Sequence, residues 1–264
     1  MNYYRPPSFS IFPPVIKNLL IANVLCYIAT FVIQHTYHYD ITDALGLHYF
    51  QSSHFKIYQL ITYMFLHDPN SITHILFNMF ALWMFGYMLE NFWGPKRFLL
   101  FYIICGIGAG LTQEASQYFY YQHLQHVIDI YNSSHTTIGL SEFIQQYFPD
   151  VRLKDNISVA VDQVPSLLHD IFKNTIENSP GTIGASGAIF GILLAFGMLF
   201  PNTLIYVYFA IPLKAKYFVA IYTLIELFSG IANRPGDNVA HFAHLGGMLF
   251  GFFLILYWKR KRLI

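Results

Sequence analysis

Charge is what this sequence most lacks. Only 11% of its 264 residues are Asp, Glu, Lys or Arg, against about 25% in a typical soluble domain. That excludes a disordered chain, a coiled coil and an ordinary cytosolic enzyme. The net charge is +1, and no basic patch interleaved with aromatics stands out, so nucleic acid is not an expected partner. Cysteine is scarce too. Cys26 and Cys105 both lie inside apolar runs, cannot build a disulfide framework, and read as buried free thiols. The segment from Met1 to Pro14 carries one charge, Arg5, and lacks the basic region and small-residue cleavage site of a signal peptide. The first apolar run is therefore expected to stay as a signal anchor.

What is present is apolar: 55% of the chain is hydrophobic and 19% aromatic. This predicts an all-α, polytopic membrane protein whose surface partner is the lipid bilayer. Six spans are expected, over Val15 to about Ile33, Ser71–Trp93, Pro95 to about Thr112, Thr182–Phe200, Ala215–Ile231 (closed by Asn233 and Pro235) and Val239–Trp258. Each approaches the ~20 residues needed to cross ~30 Å of hydrocarbon. The stretch Leu204–Leu213, short and holding Pro212, reads as interfacial or loop.

With the N-terminus inside, ten of the fifteen Lys and Arg residues fall on inside segments, the tail Lys259-Arg260-Lys261-Arg262 among them. Both termini are therefore expected in the cytoplasm. The whole chain reads as a single membrane domain. Its insert, residues 113–181 between the third and fourth spans, lies outside the membrane and carries eight acids against three bases. Within it, Val164–Glu177 has helical apolar spacing.

Polar groups inside a bilayer are costly, and each needs a reason. His74 and Asn78, four apart on the second span, stack on one helix face, as helix–helix hydrogen bonding would also require. The fourth span opens with Gly184-Ala185-Ser186-Gly187 and continues to Gly191; the sixth holds His241, His244, Gly247 and Gly251. Gly187–Gly191 and Gly247–Gly251 are small-xxx-small pairs that let helices approach. Gly-x-Ser-x-Gly is absent, so a soluble hydrolase's nucleophile elbow is not supported. His74, His241 and His244 are a conceivable metal set, but no His-Glu-x-x-His stretch and no nearby carboxylate accompanies them.

Topology brings three of these segments together. The second, fourth and sixth spans all enter from the outside face, with His74, Ser186 and His244 about 5–8 Å below it. A histidine beside a serine can make it a nucleophile, and Asn or His can donate to an oxyanion. No Asp is placed to orient the base, which leaves a Ser–His dyad.

On His74-Ile75-Leu76-Phe77-Asn78, Gly184-Ala185-Ser186-Gly187 and Ala243-His244-Leu245-Gly246-Gly247 with Gly251, the chain resembles the rhomboid intramembrane serine proteases. Glu90 with Trp93-Gly94 and Lys96-Arg97-Phe98 adds to the likeness. The resemblance implies a six-helix rhomboid-like bundle that cleaves the transmembrane segments of other membrane proteins. Ser186 would be the nucleophile and His244 the base, chosen over His241 because Ala-His-x-x-Gly falls at His244. Asn78 and His74, with the Ser186 N–H, would hold the oxyanion. Gly184, Gly187, Gly247 and Gly251 would keep the helices close. No metal or organic cofactor is implied. A catalytically silent rhomboid-like protein that binds membrane clients is the alternative. A transporter would spread its polar residues to both faces, and a receptor would place its function in the insert.

Two features depart from the family pattern: the first outside loop lacks a Trp-Arg pair, and the insert is long. His67 reads as a hydrogen-bonding group holding that loop, or, by the resemblance, as serving the oxyanion side. Glu226, an acid within the fifth span, reads as bonding another helix or reaching the interface, and, by the resemblance, as tuning a gate. Charge pattern and the missing targeting sequence favour a prokaryotic cytoplasmic membrane.

Overall fold

A computed structural model describes residues 10–133, 139–149, 151, 161–207, 210–232 and 239–262. Arg5, Asp150, Arg152, Lys154, Asp155, Asn233, Arg234 and Pro235, used above for orientation, insert charge or helix ends, lie outside the described residues. The chain forms two compact units: Met1–Leu47, Lys56–Gln113 and Gly181–Ile264 in the first, His48–Phe55 and Glu114–Pro180 in the second.

The helices are α1 (Pro14–Tyr37), α2 (Ile41–Leu45), α3 (Gln59–Thr62), α4 (Ile72–Trp93), α5 (Pro95–Ser133), α6 (Leu140–Tyr147), α7 (Val164–Glu177), α8 (Ser186–Leu199), α9 (Ala215–Ala232) and α10 (His241–Arg260). Among the described residues, α1, α4, α5, α9 and α10 are long and apolar enough to cross a membrane. Their outward residues, such as Leu25 on α1, Phe228 on α9 and Phe253 on α10, are exposed apolar groups that only lipid can cover cheaply.

Three expectations about the elements need correction. The helix of the third span does not stop near Thr112: α5 runs unbroken for 39 residues, because nothing at Gln113-Glu114 breaks a helix, and the expected span end near Thr112 marks only where the apolar run ends. The helix in the expected fourth span is shorter than Thr182–Phe200. This helix, α8, has 14 residues, about 21 Å at 1.5 Å each, and is wrapped by protein along most of its length. Thr182 instead pairs with Leu47 in an isolated antiparallel bridge. Finally, Leu204–Val207 and Ile211–Leu213 are strand rather than loop. β1 (Leu204–Val207) and β2 (Ile211–Lys214) form an antiparallel hairpin with Leu204 opposite Lys214 and Tyr206 opposite Pro212. Its β-branched and aromatic residues favour extended backbone.

A buried acid secures the start of α1, where no side chain of its own caps it. The two oxygens of Glu90, near the end of α4, accept the backbone N–H groups of Val15 and Ile16, each at 2.8 Å. These are orphan donors of a helix N-terminus, where a negative charge is favoured. Asn91 clasps Ser10 beside it, accepting its N–H at 3.0 Å and donating to its carbonyl at 2.7 Å.

In the second unit, the end of α5 packs with α6, α7 and Tyr49 around Tyr121, Leu124, Ile128, Phe143, Leu168 and Ile171. α7 covers the segment Val164–Glu177 that the apolar spacing predicts. Residues 48–55, read from the sequence as first-loop chain, belong to this unit. Glu177 ties them to α7, accepting from the Ser53 hydroxyl at 2.7 Å, the Ser53 N–H at 3.0 Å and the Ser52 hydroxyl at 3.0 Å.

Two outcomes follow. Replacing Glu90 with Ala frees both N–H groups and should cost about 1–3 kcal/mol, read as a lowered unfolding midpoint in micelles; Glu90→Gln, which keeps one acceptor, should lose less. At Glu177, the bonds from Ser53 and Ser52 hold the carboxyl below its ordinary range. A depressed carboxylate stabilises above its ordinary pKa and stops doing so as pH falls through its folded value. Hydrogen exchange at the Ser53 amide, corrected for intrinsic rate, should therefore be faster in Glu177→Ala than in wild type at pH 7. The difference should fade in acid, below the folded pKa.

Candidate active site

Ser186 is the first residue of α8, not several residues inside its helix as its expected depth required. The strand-like lead from Thr182 sets this start. Leu47 and Thr182 exchange backbone hydrogen bonds at 2.9 and 2.8 Å, and the Gly184 N–H donates to the Tyr63 carbonyl at 2.9 Å. Gly184 has φ +128°, a region that L side chains avoid and glycine enters freely. The first bond of α8 runs from the Ile189 N–H to the Ala185 carbonyl at 3.1 Å. The N–H groups of Ser186, Gly187 and Ala188 thus precede the helical ladder and lie at the positive end of the helix.

His244 stands in the first turn of α10. Its Nε2 lies 2.8 Å from Ser186 Oγ. Phe190, one turn along α8 from Ser186, stacks on the His244 ring with centroids 4.1 Å apart and planes 6° from parallel. Tyr222 of α9 backs Phe190 at 5.2 Å.

A carboxylate is also present, against the expectation from local sequence. Glu226 on α9 is buried. Its Oε2 lies 2.8 Å from His244 Nδ1 and 2.7 Å from His241 Nδ1. Sequence reading missed this arrangement because Glu226 is on another helix, 18 residues before His244; the available signal was a lone acid in an apolar span. The His74, His241 and His244 set is not the one that converges. Glu226, His241 and His244 each offer one ligand atom, all within 4.8 Å of one another. Their 2.7 and 2.8 Å separations are hydrogen-bond lengths, shorter than the roughly 3.3 Å between two ligands on a tetrahedral zinc.

His74, near the start of α4, is on the other side of Gly184. A Cβ added to Gly184 would sit 3.1 Å from His74 Nε2 and 3.5 Å from Ser186 Oγ. The Asp68 backbone N–H faces His74 Nδ1 at 3.5 Å, a contact that suits the tautomer with its proton on Nε2. Asn78 is buried one turn on, and its amide donates to the His74 carbonyl at 2.9 Å. No hydrogen bond joins Asn78 to Ser186 or His244 among the described residues. His67 is fully buried and meets the His74 ring edge-on at 5.1 Å. Contrary to expectation, neither of its ring nitrogens has a hydrogen-bond partner among the described residues. Burial foremost, and the His74 ring next, push its pKa down to about 3, so it is neutral at working pH.

The glycines bring the two helices into backbone contact. A Cβ on Gly247 would collide with the Gly187 carbonyl; one on Gly187 would reach Ala109 Cβ at 2.5 Å, and one on Gly251 would come to 3.4 Å from the Gly191 Cα. Gly247→Ala should therefore force α8 and α10 apart and cost about 1–3 kcal/mol. Gly139, with nothing within 4 Å of its added Cβ, provides the control, and thermal unfolding in micelles should separate the two alanine variants.

Comparison with known proteins agrees with this geometry at the level of family. The model of the rhomboid domain matches residues 54–148 and 135–261. An uncharacterised mitochondrial rhomboid protein of Schizosaccharomyces pombe is 35% identical over 89 residues, 31% of this chain and 23% of that protein. The chloroplastic rhomboid-like protein 16 of Arabidopsis thaliana is 24% identical over 208 residues, 78% of this chain and 50% of that protein. The chain thus spans half or less of the length of these relatives. Both carry organellar names, so the expectation of a prokaryotic cytoplasmic membrane finds no support in them. With most of its length matched by the rhomboid domain, this multi-pass membrane chain belongs to the rhomboid family.

Proposed function

We propose that the chain is an intramembrane serine endopeptidase that cleaves transmembrane segments of membrane proteins. The observation that carries this reading is the 2.8 Å approach of His244 Nε2 to Ser186 Oγ at a helix N-terminus. A hydroxyl is a poor nucleophile until a base takes its proton. His244 Nε2 accepts the Ser186 proton as Oγ attacks the scissile carbonyl. The new oxyanion takes N–H bonds from the start of α8, from His74 Nε2–H and from the second N–H of Asn78. His244 then returns the proton to the leaving amine. It next takes a proton from water as the water oxygen attacks the acyl carbon, and returns it to Ser186 Oγ as the acyl bond breaks and the carboxyl product leaves.

The substrate must expose its carbonyls, and a helix hides them in its own hydrogen bonds. Segments with Gly, Pro or other weak helix formers near the site are the preferred ones, since unwinding them costs least. Water reaches the site from the extracytoplasmic face. Both chain ends are cytoplasmic in this scheme, α8 is the fourth of six spans, and the Gln113–Gly181 insert is extracytoplasmic. No metal or organic cofactor enters the scheme. A silent client-binding protein has no use for an aligned Ser186 and His244.

The test is labelling of purified protein in micelles with a serine-directed fluorophosphonate, read by intact mass. Wild type should be modified at Ser186, Ser186→Ala not at all, and His244→Ala at a rate lower by about 10²–10⁴-fold. Equal, slow labelling of all three folded proteins would sink the protease reading and leave client binding.

A further inference from the structure

We infer that Glu226 is a positioning residue for the base, so that the dyad works as a Ser186–His244–Glu226 triad with His241 as a second anchor on the carboxylate. This rests on the protease reading and adds to it what selects the reactive form of His244.

A neutral imidazole has two tautomers, and only the one with a bare Nε2 can take the Ser186 proton. The Phe190 face, 4.1 Å away and nearly parallel, holds the plane of the His244 ring. Stacking cannot choose the tautomer, however, and it is blind to a half-turn of the ring. Glu226 decides both. An ionised carboxylate oxygen only accepts hydrogen bonds. At 2.8 Å from Nδ1 it requires the proton on Nδ1 and leaves the Nε2 lone pair toward Ser186 Oγ. With the proton on Nε2, two acceptors would face each other at 2.8 Å.

Charge supplies the second argument. When Ser186 Oγ forms its bond to the substrate carbonyl carbon, its proton moves to Nε2 and His244 becomes an imidazolium. Nothing leaves Nδ1; the Nδ1–H bond to Glu226 becomes charge-assisted and stronger. A cation made inside a low-dielectric bundle without a counter-charge is costly, and Glu226 is the buried anion in contact with it. The carboxylate takes further support from α10. His241 Nδ1–H donates to the same oxygen at 2.7 Å. The two imidazole rings stand at 87° to each other, so each approaches Oε2 from its own direction. One carboxylate oxygen thus takes two N–H bonds from the first turn of α10.

A mere tie between α9 and α10 would use the same contacts, and the experiment separates the two roles. Glu226→Gln keeps the shape and one acceptor but removes the charge; Glu226→Asp keeps the charge on a shorter stem. For a positioning residue, the fluorophosphonate labelling rate and kcat on a transmembrane substrate should fall about 10²–10⁴-fold in Glu226→Gln. KM should change less than about 3-fold, and Glu226→Asp should recover part of the rate. A tie predicts lower thermal stability with labelling and kcat as in wild type, and that result would overturn the inference.

A second measurement needs no folded variant at position 226. In wild type with nitrogen-15 histidine, the His244 signals, identified by their loss in His244→Gln, should show Nδ1 protonated and Nε2 bare at neutral pH. The opposite tautomer would defeat the proposal even if Glu226→Gln fails to fold. Absence of labelling in wild type itself would count against the protease reading, while the tautomer would still report whether Glu226 holds the ring.

Discussion

Everything at the site depends on how closely two backbones can approach. α8 and α10 meet with Gly247 against the Gly187 carbonyl and Gly251 near Gly191. Any side chain at Gly247 would enter the facing main chain. Because the helices touch there, the first turn of α10 puts His244 against the first residue of α8. The 2.8 Å between Nε2 and Oγ is thus a consequence of helix packing, which small residues make possible in a medium where apolar side chains gain nothing by leaving lipid.

The second constraint is that α8 must begin late. A fourth span built as helix from Thr182 would have placed Ser186 within the hydrogen-bonded ladder. The first unit avoids this by pinning Thr182 to Leu47 and Gly184 to Tyr63, so the chain arrives extended and turns helical only at Ser186. The cost is a short helix of 14 residues, most of them buried in protein. The return is a row of N–H groups that precede the helical ladder, beside the serine hydroxyl.

Two acids in the first unit obey the same rule at different places. Glu90 and Glu226 are both buried among apolar helices, where a lone carboxylate would be costly. Each is satisfied by two N–H donors from a neighbouring helix start: the backbone of Val15 and Ile16 for Glu90, and the rings of His241 and His244 for Glu226. The first closes a helix end. The second borders Ser186 through His244, and this is why its neighbours give it chemical consequence.

The sequence by itself determined the membrane class, through sparse charge and long apolar runs. It also determined the residue types available for chemistry, because a serine, a histidine or an acid inside such a run stands out against its cost. Helix ends followed where a breaker sat, as at Gly94-Pro95 between α4 and α5. They failed where hydropathy changed but helix propensity did not, as along α5 past Thr112, and where a remote backbone partner overrode the apolar run, as at Thr182–Ala185. Only the tertiary structure decided which polar groups meet. Apolar periodicity records the face a helix buries and not the neighbour it buries against. Glu226 therefore reads in sequence as an isolated acid and becomes the partner of two histidines only when α9 lies beside α10. His67 reads as a hydrogen-bonding group, yet folding leaves both its nitrogens without a described partner and presses its ring on His74.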